Sequence, residues 1–173
     1  MTEHVVYLAN SSGLKVGITR ASQIPTRWID QGAVQALPLL RVSTRQLSGF
    51  VEEMLRGSVK DKTNWRAMLK GQVDSIDLVE AREQLLDQYA DGIDQLLNEH
   101  GLLAVQPISD TIKTTAITYP VLEYPTKITS FNLDKTPLVE GTLMGIKGQY
   151  LIFDTGVINM RKYTAYELTV TCH

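Results

Sequence analysis

The stretch HVVYLANSSGLKVGITR, residues 4–20, decides the fold that the sequence predicts. Residues 4–9 are mostly β-branched or aromatic, a composition that favours a β-strand. Residues 14–19 alternate apolar and polar side chains, which indicates a second strand with one buried face. Asn10 to Gly13 lie between them and have the composition of a tight turn. The stretch therefore predicts an antiparallel hairpin.

The pattern downstream adds helices and a third strand to this hairpin. Pro25 suits the first position of a short helix that ends near Gly32. Ser43 and Gln46 have the spacing of a capping box, and the apolar residues that follow recur on one helical face. The remaining predicted elements are a strand at Ala36–Val42, a short helix at Asp61–Lys70 and a long helix at Ile76–His100.

After Gly101 the sequence contains several prolines, turn residues and short runs of β-forming residues. These runs lie at residues 115–119, 128–133, 138–146, 149–154 and 167–171. Short strands at this spacing favour a small antiparallel barrel or sandwich. We therefore predict an α+β protein with three parts: a small sheet with flanking helices (1–72), a helical connector (73–106) and a small all-β domain (107–173).

Composition narrows the cellular context. Apolar residues make up 43% of the chain, enough for a core, and no apolar run reaches the ~20 residues that span a bilayer. The N-terminus has neither the basic start nor the apolar stretch of a signal peptide. The single cysteine, Cys172, allows no internal disulfide and no cysteine-based zinc site. We expect a cytoplasmic protein with no membrane partner.

Charge is distributed unevenly along the chain. Residues 1–72 carry ten Lys and Arg against five Asp and Glu, a net of +5, whereas residues 73–110 have a net of −8. A basic block suits binding to phosphate, and an acidic block should face away from a polyanion. Ordinary surface charge remains the alternative explanation for the basic block.

Several residues of the N-terminal part match a known motif in order and in element type. Val6-Tyr7-Leu8 precedes Lys15-Val16-Gly17, and then Arg27 and Glu52 follow on predicted helices. This pattern resembles the GIY-YIG nuclease superfamily, in the branch whose second motif reads Lys-Ile-Gly. The predicted sheet with its helices would then be a GIY-YIG-like module.

Longer strings resemble a bacterial family, domain-of-unknown-function family 2797. They are VYLANSSGLKVGITR, IPTRWIDQGA, DKTNWRAMLKG and EGTLMGIKGQYLIFDTGV. Members of that family carry a cysteine-rich segment before the tyrosine strand. This sequence lacks that segment, so we expect a truncated form.

The GIY-YIG resemblance implies metal-dependent hydrolysis of a phosphodiester. Glu52 would hold one Mg²⁺ or Mn²⁺ ion, since a hard cation accepts one carboxylate together with waters and phosphate oxygens. Tyr7 would orient the nucleophile and Arg27 would neutralise the phosphate. Gly17 would let the backbone approach the phosphate or the metal. Lys15 replaces the second tyrosine of the better-studied branch, which leaves the general base open.

Each of these residues also has a structural explanation. Tyr7 could cover a core, Gly17 could relieve a strand crossing, and Arg27 could be a surface arginine. Glu52 and Glu53 flank the apolar face of their helix equally, so periodicity does not choose between them. Auxiliary contacts to phosphate or metal are further candidates at Arg20, Arg45 and Asn64.

The C-terminal part offers a second set of aromatic and basic residues, comprising Tyr150, Arg161, Lys162, Tyr163 and Tyr166. They could form a stacking, basic surface for nucleic acid, or the tyrosines could pack a small barrel. The leading expectation from sequence is a divalent-metal-dependent endonuclease acting on DNA. The alternatives are a nucleic-acid-binding protein that has lost catalysis and a protein-interaction module. The oligomeric state stays open.

Overall fold

A computed structural model describes residues 3–59, 64–109 and 111–172. Across these residues the chain forms two antiparallel sheets and five α-helices. No helix in these ranges is long and apolar enough to cross a membrane.

The first sheet contains the predicted hairpin and third strand, and both predictions are confirmed. Its strands are β1 (His4–Asn10), β2 (Leu14–Arg20), β3 (Gln35–Val42), β4 (Val105–Pro107) and β5 (Thr115–Ala116). The order is β2-β1-β3-β4, and β5 also pairs with β3. β2 is therefore an edge strand, so groups from both faces of the sheet can approach each other around it.

The helices are α1 (Thr26–Asp30), α2 (Arg45–Arg56), α3 (Trp65–Leu69), α4 (Leu78–Gln88) and α5 (Ala90–His100). The single long helix predicted from Ile76 to His100 is wrong, because Tyr89 leaves the helical conformation at φ −110° and ψ 16°. A straight helix of that length would extend about 37 Å, well beyond the ~27 Å of an eight-residue strand. The break lets Leu85 and Ile93 reach the same core.

The start of α2 also differs from the predicted capping box. Thr44, not Ser43, caps the helix, and its hydroxyl oxygen accepts a hydrogen bond from the Leu47 amide at 3.2 Å. The side chain of Thr44 thus satisfies one of the free amides of the first turn. The predicted start of the next helix at Asp61 lies outside the described residues, and α3 begins after Asn64.

The two faces of the first sheet bury different side chains. On one face, Val6, Leu8 and Val16 pack with α2, α4 and α5. On the other face, Tyr7 packs with Trp28 of α1 in a smaller cluster. The acidic residues of α4 and α5 therefore lie on the side of the sheet opposite Tyr7.

The C-terminal part forms an open sheet rather than the predicted barrel. Its strands are β6 (Leu143–Lys147), β7 (Tyr150–Phe153) and β8 (Val157–Asn159), in that order. Three strands of three to five residues are too few to close on themselves, and no closed barrel occurs within the described ranges. The predicted strand at residues 128–133 contributes only an isolated bridge from Ser130 to Val157, and residues 167–171 form no strand.

Candidate functional site

The site is built around the pairing of Tyr7 with Gly17. These residues lie opposite each other on β1 and β2, and the Tyr7 ring crosses directly over Gly17. A Cβ atom at position 17 would come within 2.6 Å of both Cζ and the hydroxyl oxygen of Tyr7. Gly17 thus makes room for the phenol, which can extend towards the open edge of the sheet.

Tyr7 is fully buried, and its hydroxyl is held by Gln31. The amide of Gln31 donates a hydrogen bond to the Tyr7 oxygen. Burial raises the pKa of Tyr7, and the negative charge of Glu52 raises it further, while Gln31 and Arg27 act in the opposite direction. The phenol is therefore protonated at neutral pH. It can donate a hydrogen bond, but it does not serve as a base there.

Arg27 and Glu52 lie on helices that cover different faces of the sheet. Arg27 lies on α1, which covers the Tyr7 face, and it acts on the Tyr7 pKa both as a nearby cation and as a hydrogen-bond partner. Glu52 lies on α2, which covers the opposite face. The sheet therefore lies between Glu52 and Arg27, and the negative charge of Glu52 is the smallest of the influences on the pKa of Tyr7.

Glu52 and its neighbour Glu53 have different environments. The Glu52 side chain is 24% exposed and lies in a small crevice with Val16, whereas Glu53 points into solvent. Glu52 also forms an ion pair with Arg56, one helical turn later, at 3.6 Å. The local geometry therefore distinguishes the two carboxylates, which periodicity does not.

A polar cleft of about 320 Å³ adjoins the Tyr7 site. Lys15 of β2 and Arg27 of α1 lie on one wall, together with Gln31, the partner of Tyr7. The opposite wall comes from the C-terminal sheet. The lining residues are Lys15, Arg27, Asp30, Gln31, Trp65, Met68, Gln149, Tyr150, Asn159 and Arg161.

The C-terminal sheet is fixed against α1 by Tyr119 and by the turn between β6 and β7. The hydroxyl of Tyr119 donates to the carbonyl oxygens of Ile29 and Ala33, at 3.2 and 2.9 Å. Lys147 is buried between the rings of Tyr119 and Tyr124, with its ammonium 5.4 and 5.0 Å from the ring centroids. Burial lowers the pKa of Lys147. These contacts set the position of the second wall relative to the first.

The auxiliary candidates occupy three different places. Arg20 is exposed at the far end of β2 from Lys15, about 17 Å along the strand. Arg45 is exposed at the first residue of α2, about 10 Å along the helix from Glu52. Asn64 caps α3 by accepting from the Ala67 amide, and its own backbone amide donates to the Ser12 hydroxyl at 2.7 Å. Only Asn64 adjoins the cleft, next to Trp65.

Sequence reasoning missed Gln31 and Trp65, and it did not connect Tyr150 and Arg161 to the N-terminal site. Trp65 stacks on Tyr150 with ring centroids 5.9 Å apart and planes 4° from parallel, and Arg66 covers the tryptophan ring at 4.4 Å. A Trp-Arg pair directly after a helix-capping asparagine is a signal, but one that ordinary packing also produces. The remaining C-terminal tyrosines, Tyr163 and Tyr166, pack edge to face on each other.

Among the described residues, Glu52 is the candidate ligand on which the fit of a divalent cation depends. Within the described residues, no group of three or more histidine, cysteine, aspartate or glutamate side chains could hold a metal ion. A partly exposed single carboxylate suits a cation that keeps several waters and takes its other ligands from a substrate phosphate. The ion pair with Arg56 would have to loosen for the carboxylate to bind such an ion.

The protein is thus a mixed α and β chain with a polar site centred on Tyr7 of β1, beside the edge strand β2. It belongs to the family described as "Protein of unknown function (DUF2797)", which matches residues 1–168. No curated protein and no solved structure matches the chain. Membership of this family assigns no activity, and the GIY-YIG relationship stays a prediction.

Proposed function

We propose that this protein is a divalent-metal-dependent endonuclease that hydrolyses phosphodiesters in DNA at a GIY-YIG-like site. The observation that supports this most is the position of the Tyr7 phenol over Gly17, next to the cleft that Arg27 lines and with Glu52 beside Val16 on the other face of the edge strand. The three side chains come from a strand and from helices on opposite faces. A phenol, a guanidinium and a carboxylate are groups that hydrolysis of a phosphodiester can use.

Each group has a chemical role that follows from its environment. The guanidinium of Arg27 would neutralise the phosphate and the charge that develops on it. The protonated Tyr7 hydroxyl would donate a hydrogen bond that orients the attacking water or a phosphate oxygen. Lys15, on the same cleft as Arg27, would add a second positive charge. The net charge of +5 on residues 1–72 would favour the approach of a polyanion.

Mg²⁺ or Mn²⁺ would be held by the Glu52 carboxylate, and when bound it would supply charge neutralisation and a water of lowered pKa. The side chain of Glu52 is well suited to hold such an ion next to solvent, since it is only partly exposed and lies at the edge of the sheet. The Glu53 carboxylate, one residue later, lacks this environment.

One observation favours the alternative of a nucleic-acid-binding protein without turnover. Glu52 is paired with Arg56 at 3.6 Å, and a cation bound to the carboxylate would compete with this arginine. Because both groups are partly exposed to water, the pair is weak and costs little to break. For this reason we place the nuclease first and the binding protein second.

The test uses Glu52→Gln, with Glu53→Gln as its matched control. The glutamine keeps the shape of the side chain but removes the negative charge that holds the metal. We expect nicking of plasmid DNA with Mg²⁺ or Mn²⁺ to be lost in Glu52→Gln, with DNA binding in metal-free buffer unchanged. Glu53→Gln should behave as wild type. Absence of metal-dependent nicking in the wild type would overturn the nuclease proposal and favour the binding protein.

A second substitution, Arg27→Ala, separates binding from catalysis. Loss of one preorganised electrostatic contact typically reduces the rate on the order of 10²–10³-fold. Binding should decrease much less, because several other cations share the attraction to DNA. Nicking rates and binding constants measured at the same salt concentration would make this comparison. Equal losses in rate and in affinity would contradict a role for Arg27 at the reacting phosphate.

A further inference from the structure

The wall of the cleft opposite Lys15 and Arg27 carries its own set of polar and aromatic groups. Tyr150 lies in β7, Asn159 ends β8, and Arg161 follows in a short 3₁₀ helix. The Asn159 carboxamide oxygen accepts from the Arg161 amide at 3.0 Å, which fixes the backbone from which the arginine extends. The C-terminal sheet therefore determines where the backbone of Arg161 lies relative to the cleft.

The two walls touch at two places, which limits the width of the cleft. At one place, Tyr150 stacks on Trp65. At the other, Gly148 lies so close to α1 that a Cβ atom would be 3.1 Å from the Asp30 carbonyl oxygen and from the Gly32 nitrogen. Between these contacts the cleft holds about 320 Å³, at the lower end of the range for small-ligand sites.

The charge of the cleft suits a phosphate, and its size suits a single unpaired nucleotide. Among the described lining residues, Lys15, Arg27 and Arg161 are cations and Asp30 is an anion, and the stacked rings of Trp65 and Tyr150 form part of the lining. With about 320 Å³ the cleft has room for one small ligand, whereas a duplex, whose major groove alone is about 12 Å wide, does not fit inside it. Positively charged grooves with aromatic side chains bind unpaired nucleotides.

We infer that this cleft binds one unpaired nucleotide of single-stranded or frayed DNA, with Arg161 holding a phosphate across from Arg27. This inference rests on the proposed function, because it takes Lys15 and Arg27 to be the contacts of a phosphodiester. It adds the class of substrate, DNA with an unpaired strand, and it assigns the C-terminal sheet to substrate recognition. A strand that enters the cleft would lie close to the Tyr7 site, because Gln31 lines the cleft and also donates a hydrogen bond to the Tyr7 hydroxyl.

The test measures binding of the intact protein to two fluorescent probes in buffer with EDTA. One probe is a single-stranded oligonucleotide, and the other is a blunt duplex that contains the same sequence. Arg161→Ala is compared with Lys162→Ala, its exposed neighbour, which does not line the cleft. Both variants lose one positive charge in the same short helix, so a difference between them reports the position of Arg161.

We expect the wild type to bind the single strand more tightly than the duplex. Arg161→Ala should weaken binding to the single strand about tenfold, the size of a lost charge-assisted contact. It should also reduce the slope of log affinity against log salt by about 0.7, the value for one phosphate contact on a single strand. Lys162→Ala should change neither quantity by more than about twofold.

Three results would overturn the inference: equal affinity for the two probes, equal losses in the two variants, or no binding to either probe. Failure of the nuclease proposal would give different experimental results. If the wild type does not nick DNA but prefers the single strand through Arg161, the substrate inference holds and catalysis is absent. If Glu52→Gln abolishes nicking while Arg161→Ala changes nothing, the nuclease proposal holds and the role of the second wall is wrong.

Discussion

One face of the first sheet packs Val6, Leu8 and Val16 against three helices, whereas the other packs Tyr7 against Trp28 and leads to a polar cleft. In the part of the chain that the structure describes, the first face buries sixteen apolar residues in one cluster and the second buries seven. Most of the hydrophobic stabilisation therefore comes from the first face. The second face has room for a buried phenol, its glutamine partner and the site that we propose for chemistry.

The largest loss of stability is expected when a leucine in the core of the helix-covered face is replaced by alanine. Leu55 is fully buried on the helix-covered face, so Leu55→Ala should destabilise the protein by about 2–5 kcal/mol. Phe50→Ala, on the same helix but 46% exposed, is the control and should cost much less. Urea unfolding of the three proteins makes the comparison. Similar losses for Leu55→Ala and Phe50→Ala would mean that the helix-covered face is not the main source of stability.

A smaller effect is expected on the second face, from a methyl group added beneath Tyr7. In Gly17→Ala the new Cβ would lie 2.6 Å from the phenol, so the ring has to move. Overpacking of this kind typically costs about 1–3 kcal/mol. Gly49→Ala is the control, because nothing lies within 4 Å of the position that its methyl group would take and alanine favours a helix.

The Gly17 effect can be assigned to the ring by a double-mutant cycle. In a Tyr7→Ala background the clash is removed, so Gly17→Ala should cost less there than in the wild type. The free energies of unfolding of the four proteins give the coupling. A cost that is the same in both backgrounds would show that Gly17 serves the strand itself and not the phenol.

The elements that sequence predicts well are those whose own residues determine them. β1, β2 and β3 alternate or concentrate β-branched residues, and α2 repeats its apolar positions every three to four residues, so local pattern suffices. The break at Tyr89 follows instead from the size of the sheet against which α4 and α5 pack. The pairing of β5 with β3 likewise joins residues about eighty positions apart along the chain, which no local pattern predicts.

The residues of the candidate site also fall into those that the sequence predicts and those that it does not. Tyr7, Lys15, Gly17, Arg27 and Glu52 stand out from the sequence because they match a motif in order. Gln31 and Arg161 do not, since their importance comes from where the folded chain places them. Gln31 is an ordinary residue at a helix end, and Arg161 lines the same cleft as Arg27 because Tyr119 and Gly148 hold the second sheet against α1.

The smallest expected effect concerns the ionisation of Tyr7 and is measured as a change of stability with pH. Tyr7→Phe keeps the ring over Gly17 but leaves the Gln31 amide without its acceptor, which should cost about 1 kcal/mol at neutral pH. Burial raises the pKa of Tyr7 above its ordinary value of 10.0 in the folded protein. The folded state therefore binds the phenolic proton more tightly than the unfolded state does.

It follows that the stability contributed by Tyr7 is complete below pH 10 and decreases as the pH rises above it, by at most about 1.4 kcal/mol per pH unit. The gap between wild type and Tyr7→Phe should thus shrink between pH 10 and pH 11. Tyr119 and Tyr124 also have raised pKa values and Lys147 a lowered one, but they are present in both proteins and cancel in the difference. Urea unfolding at pH 8, 9, 10 and 11 provides the measurement. A constant gap across this range would mean that Tyr7 is accessible enough to ionise as freely as in the unfolded chain, and the phenol would then be a candidate base and not only a hydrogen-bond donor.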